Sequence, residues 1–200
     1  MRIILLTLLF LIIIYGVGVI FNKAYGAEIT LQLTGEMNWG QRHRSNIIHI
    51  LKAEPGDRIT IQVSSGGGYM SVMWAYMMAL NTTKACVTAN VNSMAASAAY
   101  LVLYNMHKVT YEPYSLFLIH LPRNSDYTQL TGIELWAAKI FTSSYLNYLN
   151  PREVNDVMTY KDVWLTGYDF GSRFPKHPEN WNVFANEQTD IKGNCNVQPI

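Results

Sequence analysis

The sequence has no run of lysine or arginine, and its 15 basic and 14 acidic residues leave a net charge of only +1 over 200 residues. Binding a phosphate backbone needs clustered cations that release its counterions, so nucleic acid is not an expected partner. Histidine is sparse, and His43, His49, His107, His120 and His177 show no ligand spacing of the H-E-x-x-H kind. Neither a metal nor any other cofactor is expected. Cysteine is nearly absent, and Cys86 and Cys195 alone give no disulfide framework to recognise. In an oxidising compartment the two could pair. The alternative is a buried thiol at Cys86, within the apolar run Ala85 to Ala89. Internal repeats and low-complexity tracts are also missing. What the chain has in quantity is apolar side chain, 50% of its residues, which is ample for the core of one domain.

Part of that apolar content is set apart at the start. Met1 and Arg2 precede 19 uncharged positions, Ile3 to Phe21, dominated by Ile and Leu. The stretch exceeds the apolar region of a typical signal peptide and approaches the ~20 residues that span a bilayer. Its length favours an anchor, while Ala24-Tyr25-Gly26-Ala27 offers small residues that a signal peptidase could accept. Both outcomes stay open. A buried core helix fits less well, because the segment is apolar on every face. With Arg2 held inside, either outcome carries the chain after Ala27 out of the cytoplasm. The expected division is a signal peptide or anchor over 1–27, a domain over 28–174 and an irregular tail over 175–200. The expected location is periplasmic or otherwise extracytoplasmic, secreted or anchored to the inner membrane through residues 3–21.

Period-two and helical patterns alternate from Glu28 onward. Strands are predicted at Ile29 to Leu33, Arg58 to Val63, Ala85 to Asn90, Lys108 to Tyr111 and Ser115 to Ile119. Helices are predicted at Arg44 to Ala53, Tyr69 to Leu80, Ser97 to Tyr104, Ile133 to Leu149 and Arg152 to Met158. This order implies an α/β domain with a largely parallel sheet. Sites in such sheets gather at the C-terminal ends of strands, here the loops after Val63, Asn90 and Ile119.

Unusual residues fall in those loops. Ser64-Ser65-Gly66-Gly67-Gly68 could form a nest of backbone N–H groups for an oxyanion or a phosphate. The phosphate-loop pattern lacks its lysine, because Tyr69-Met70-Ser71 follows, and a plain tight turn fits the glycines as well. Met94-Ala95-Ala96-Ser97-Ala98-Ala99 puts a serine among small residues where a strand meets a helix, in the manner of a nucleophile elbow with alanines for glycines. A helix cap is the bland alternative for Ser97 or Ser93. His120 ends the apolar run Leu116-Phe117-Leu118-Ile119, so an imidazole reaches the sheet's edge.

Together these segments resemble the ClpP family of self-compartmentalising serine proteases, within the ClpP/crotonase superfold. The resemblance runs from Ile29 to Gly171. It rests on Ile29 to Glu36, Ile59 to Gly68, Met94-Ala95-Ala96-Ser97, Phe117-Leu118-Ile119-His120-Leu121-Pro122 and Lys161-Asp162-Val163-Trp164-Leu165-Thr166. It implies a repeated β-β-α spiral behind the hydrophobic leader helix, with Ser97 as nucleophile, His120 as general base and Asp162 as the acid that orients it. It further implies an oxyanion hole from the N–H groups of Gly68 and Ala98, a peptide or unfolded protein as substrate, and a homo-oligomer. Asp156 and Asp169 are alternatives for the third role. The 42 positions from His120 to Asp162 are fewer than the family usually has. The shortfall lies at Arg123 to Gly132, where ClpP builds its contact between rings, so no double ring is expected. The leader stands where the family's gating loops would be, and no ATPase partner is expected. Two other readings share the fold. One is an SppA-like signal peptide peptidase using Lys139 as base; the other is a non-catalytic exported scaffold.

Overall fold

The computed structural model describes residues 26–146 and 149–173. The expected apolar leader segment 3–21, the tail 175–200 and Cys195 lie outside the described residues. Among the described residues no helix is long and apolar enough to cross a membrane.

Alternation of apolar residues produces the first layer. In β1 (Glu28–Met37) Leu31, Leu33 and Met37 point into the core, and in β2 (Arg58–Gly68) Ile59, Ile61 and Val63 are fully buried. Between them α1 (Gln41–Lys52) buries Ile47 and Ile50 on one stripe, while α2 (Met70–Thr82) follows β2 and buries Val72, Met73, Tyr76 and Leu80. β3 (Cys86–Ala96) leads into α3 (Ala98–Leu103), whose six residues are apolar on every face and all buried. Two strands then follow one another, β4 (Lys108–Tyr111) and β5 (Leu116–Ile119), before α4 (Gly132–Ser143), α5 (Pro151–Met158), β6 (Val163–Thr166) and α6 (Gly167–Arg173). The start of α5 is fixed by a reciprocal cap: Glu153 N donates to Asn150 Oδ1 and Asn150 N to Glu153 Oε2, both at 3.0 Å, with Pro151 in the first turn.

One six-stranded sheet results, ordered β1-β2-β3-β5-β6, with β4 also on β3. β4 pairs with Thr88 to Val91 and β5 with Met94 to Ala96, so the two short strands share one long neighbour. All pairings are parallel except β5 with β6. This is the α/β, largely parallel architecture that the sequence implies.

Several elements differ from expectation. β2 and β3 run on through Gly68 and Ala96, because strands paired on both sides keep their ladders despite glycine and alanine. Register shifts after Thr34 and Val63 mark the irregularity this entails. α4 ends at Ser143 rather than Leu149, since the chain turns there to bury Tyr145 and Leu146; Tyr104 Oη donates to the Tyr145 carbonyl at 2.9 Å. β6 has no counterpart among the expected strands. Cys86 is buried and is not a free thiol.

Candidate active site

Ser97 sits between β3 and α3 with φ 56° and ψ −124°, a conformation that costs a non-glycine residue about 1–3 kcal/mol. Its surroundings enforce the bend. Ser97 N donates to the Leu118 carbonyl of β5 at 2.9 Å, while the Ser97 carbonyl accepts from Leu101 N at 3.2 Å and starts the helix. Ala96 and Ala98 are buried on either side. Facing them is Gly67, at φ +91°, where a Cβ would lie 2.6 Å from the Ala96 carbonyl oxygen, 2.7 Å from Ser97 Cβ and 3.0 Å from Ala98 N. Only glycine fits so close an approach. Gly67, not singled out from the sequence, is therefore the residue that lets β2 touch the serine corner, and the triple glycine was its visible signal.

The nest has a rigid back. A Cβ on Gly68 would lie 2.5 Å from the Met37 carbonyl oxygen of β1, and that oxygen accepts from Tyr69 N at 2.8 Å. Ser65 Oγ donates to the Gly35 carbonyl at 2.6 Å and accepts from Gly67 N at 3.1 Å. Ala98 N, at the first helical position, has no acceptor within its own helix. Behind β1 lies a closed polar chain. Asn46 Nδ2 donates to the Tyr76 hydroxyl at 2.9 Å and to the Gln32 carbonyl at 2.8 Å. His43 Nε2 donates to the Glu36 carbonyl at 2.9 Å, so its Nδ1 accepts from Tyr76 Oη at 3.0 Å. Burial lowers the His43 pKa against the raising effect of the Glu36 carbonyl, with a further lowering from Arg42. Burial pushes the Tyr76 phenol up to about 12, so it stays a donor.

His120 follows the last residue of β5, on the strand beside the one that delivers Ser97, and both side chains are partly buried. Its Nδ1 lies 2.6 Å from the Leu121 carbonyl, which can only accept. In the neutral ring Nδ1 therefore carries the proton and Nε2 the lone pair, the tautomer a general base needs. No hydrogen bond joins Ser97 to His120, or His120 to Asp162, among the described residues.

The antiparallel register of β5 and β6 ends with Ile119 paired to Val163, so His120 and Asp162 are the residues that follow and precede that last pair. The Asp162 carboxylate instead accepts from Arg123 Nη2 at 2.9 Å. Asp169 lies past the other end of β6, where its carboxylate accepts from Thr166 N at 3.1 Å and Thr166 Oγ1 at 2.7 Å. Asp156 pairs with Lys161 at 2.8 Å. Lys139 lies on α4, whose Phe141 ring packs on Trp74 of α2 with centroids 4.8 Å apart, and among the described residues it forms no ion pair or hydrogen bond. Residues 123–129 close on themselves: Arg123 bridges Gln129, Asn124 N donates to the Thr128 carbonyl at 3.0 Å, and Tyr160 Oη accepts from Leu130 N at 2.9 Å. Hydrogen bonds from Thr128 hold the Asp126 carboxyl below its usual pKa. Among the described residues no cluster of side chains suits a metal ion.

A serine in a strained strand-to-helix turn, a correctly tautomerised imidazole on the next strand and converging glycines can together perform acyl transfer. The family model described as Clp protease matches residues 20–149, more than half of the chain, and stops short of Asp162. Among solved structures, an asparagine-to-aspartate mutant of ClpP1 from Listeria monocytogenes is similar at 21% identity with a TM-score of 0.56. The match covers 72% of this chain and 86% of that one. A serine-to-alanine mutant of 1510-N, a membrane-bound stomatin-specific protease, is similar at 16% identity and a TM-score of 0.55, covering 74% and 77%. Likenesses at such identities carry the fold. No curated protein matches the chain.

Proposed function

Since this chain belongs to the Clp protease family and is a serine-type peptidase, we propose that it cleaves short or unfolded peptides outside the cytoplasm, without ATP, through Ser97, His120 and Asp162. The observation that carries the reading is Ser97 held at φ 56° against Gly67, beside the strand that ends in His120. His120 Nε2 takes the Ser97 proton as Oγ attacks the peptide carbonyl. The N–H groups of Gly68 and Ala98 receive the developing oxyanion. The imidazolium then protonates the departing amine, and water, deprotonated by the same nitrogen, releases the acid from the acyl-enzyme. Asp162 supports the imidazolium charge.

The same reading takes the domain, residues 28–174, as the ClpP/crotonase-like spiral with the leader 3–21 ahead of it. A self-closed 123–129 turn offers no strand to a facing ring, which favours a homo-oligomer of one ring or fewer subunits. The test is a fluorophosphonate probe on the purified protein, with the modified residue mapped. Labelling at Ser97 that is lost in Ser97→Ala supports the reading. Inactivation by Lys139→Ala but not by His120→Ala would replace it with a Ser-Lys mechanism. Export is tested separately by a reporter fused after Ile200 that is active only outside the cytoplasm, and a silent reporter on intact protein overturns it.

A further inference from the structure

The two polar atoms that a serine, histidine and aspartate triad must join are both engaged elsewhere. The β5–β6 pairing ends at Ile119 and Val163, and continuing that antiparallel register by one residue would set His120 opposite Asp162, where cross-strand Cβ atoms typically lie ~5 Å apart. Yet His120 Nδ1–H goes to the Leu121 carbonyl at 2.6 Å, and the Asp162 carboxylate goes to Arg123 Nη2 at 2.9 Å. Arg123 is well seated for this. The same Nη2 donates to the Tyr160 carbonyl at 3.2 Å, and the residue's backbone is held in the 123–129 turn by its bridge to Gln129.

Resting on the triad reading above, we infer that Arg123 is a positioning residue that holds Asp162 away from His120, so that the site rests unassembled and becomes active when this ion pair opens. Opening needs only side-chain rotation. Asp162 exchanges Arg123 for His120 Nδ1–H, and Nδ1–H exchanges the Leu121 carbonyl for the carboxylate. Arg123 retains the Tyr160 carbonyl throughout, so its guanidinium is not stranded. The latch is weak by construction, because the Arg123 and Asp162 side chains are 29% and 39% exposed and their attraction is screened by water and salt. A weak latch leaves the two arrangements near balance, which is the condition for switching.

The experiment measures the rate at which a fluorophosphonate probe labels Ser97 in the purified full chain, together with kcat and KM on a short fluorogenic peptide. Arg123→Gln is expected to raise the labelling rate and kcat about two- to fivefold at low salt, the size an exposed ion pair supports, with KM unchanged. Raising salt should speed the wild type toward the variant and leave the variant flat, Arg123→Lys should behave as wild type, and Asp162→Asn should abolish the gain from Arg123→Gln. A natively folded Arg123→Gln that labels no faster than wild type overturns the latch while Ser97→Ala, still unreactive, keeps the peptidase reading. If Arg123→Gln fails to fold, the salt titration of the wild type decides: acceleration supports the latch and a flat response overturns it. Undiminished labelling of Ser97→Ala would instead sink the serine reading itself, and the latch with it.

Discussion

The two halves of the site are held by different physics. Around Ser97 the geometry comes from backbone and buried packing: β3, α3, Gly67 and the Leu118 carbonyl leave the serine one conformation, and its flanking alanines are out of water. Around Asp162 it comes from exposed side chains, with one ion pair and one main-chain carbonyl on Arg123 choosing among rotamers. Packed interiors resist small displacements because every neighbour must move with them. Exposed pairs contribute only about 0.2–1 kcal/mol and rearrange readily. The proposed nucleophile is therefore held by packing, whereas the proposed acid is held only by exposed contacts.

The comparison breaks first at the serine and its base. Ser97→Ala and His120→Ala should each lower kcat by on the order of 10⁴-fold or more, because such residues act as a unit. Steady-state peptide hydrolysis measures this, and turnover in either variant within tenfold of wild type would place the chemistry elsewhere. Next comes the choice of carboxylate. Asp162→Asn should cost roughly 10³- to 10⁴-fold in kcat if it supports the imidazolium. Asp169→Asn should leave kcat within about twofold and lower stability by roughly 1 kcal/mol, since its carboxylate caps the start of α6 through Thr166. Reversal of that order in parallel kinetics would reassign the acid.

The packed half can also be tested by filling it. Gly67→Ala puts a methyl group 2.6 Å from the Ala96 carbonyl at φ +91°, a backbone conformation that side chains resist. Overpacking and strain together should cost roughly 2–5 kcal/mol, read as a lower denaturation midpoint in urea. An alanine there without loss of stability would show that the corner is looser than its contacts indicate.

Legibility in the sequence follows the same division. Ser97, His120, the alternating faces of β1 and β2 and the parallel α/β order are all visible in the chain, because local small-residue turns and strand periodicity write them there. Gly67 could be seen as part of a glycine run, but only the approach of Ala96 and Ala98 shows which glycine is needed. β6 escapes because Val163-Trp164-Leu165-Thr166 becomes a strand only by pairing with β5. Where the three similar aspartates fall relative to β5 is likewise a property of two distant segments together. Arg123 carries no signal at all in one dimension, as its partners, Tyr160 and Asp162, are 37 and 39 residues away.

The smallest expected effect sharpens the comparison from the other side, because it asks whether the packed half has a titratable weak point. His43 is buried behind β1, with Nε2 donating to the Glu36 carbonyl, Nδ1 accepting from Tyr76 and Arg42 adding positive charge nearby. Desolvation by burial is the main reason its folded-state pKa lies below 6.5. A histidine lowered on folding takes up its proton first in the unfolded chain as pH falls. Its contribution to stability is therefore full above about 6.5 and is lost progressively as pH drops from there through the lowered folded value. Protonation also reverses the polarity of one buried bond. Nδ1 becomes a donor, Tyr76 already accepts from Asn46 Nδ2, and the Tyr76 hydroxyl hydrogen loses its acceptor in a fully buried site, which costs roughly 1–3 kcal/mol. The Glu36 carbonyl that anchors this chain belongs to the strand residue paired with Gly67, so the loosening would begin at the nest's back wall. Urea midpoints measured between pH 7.5 and 5 should fall more steeply for the wild type than for His43→Gln, and identical slopes would remove His43 as the source.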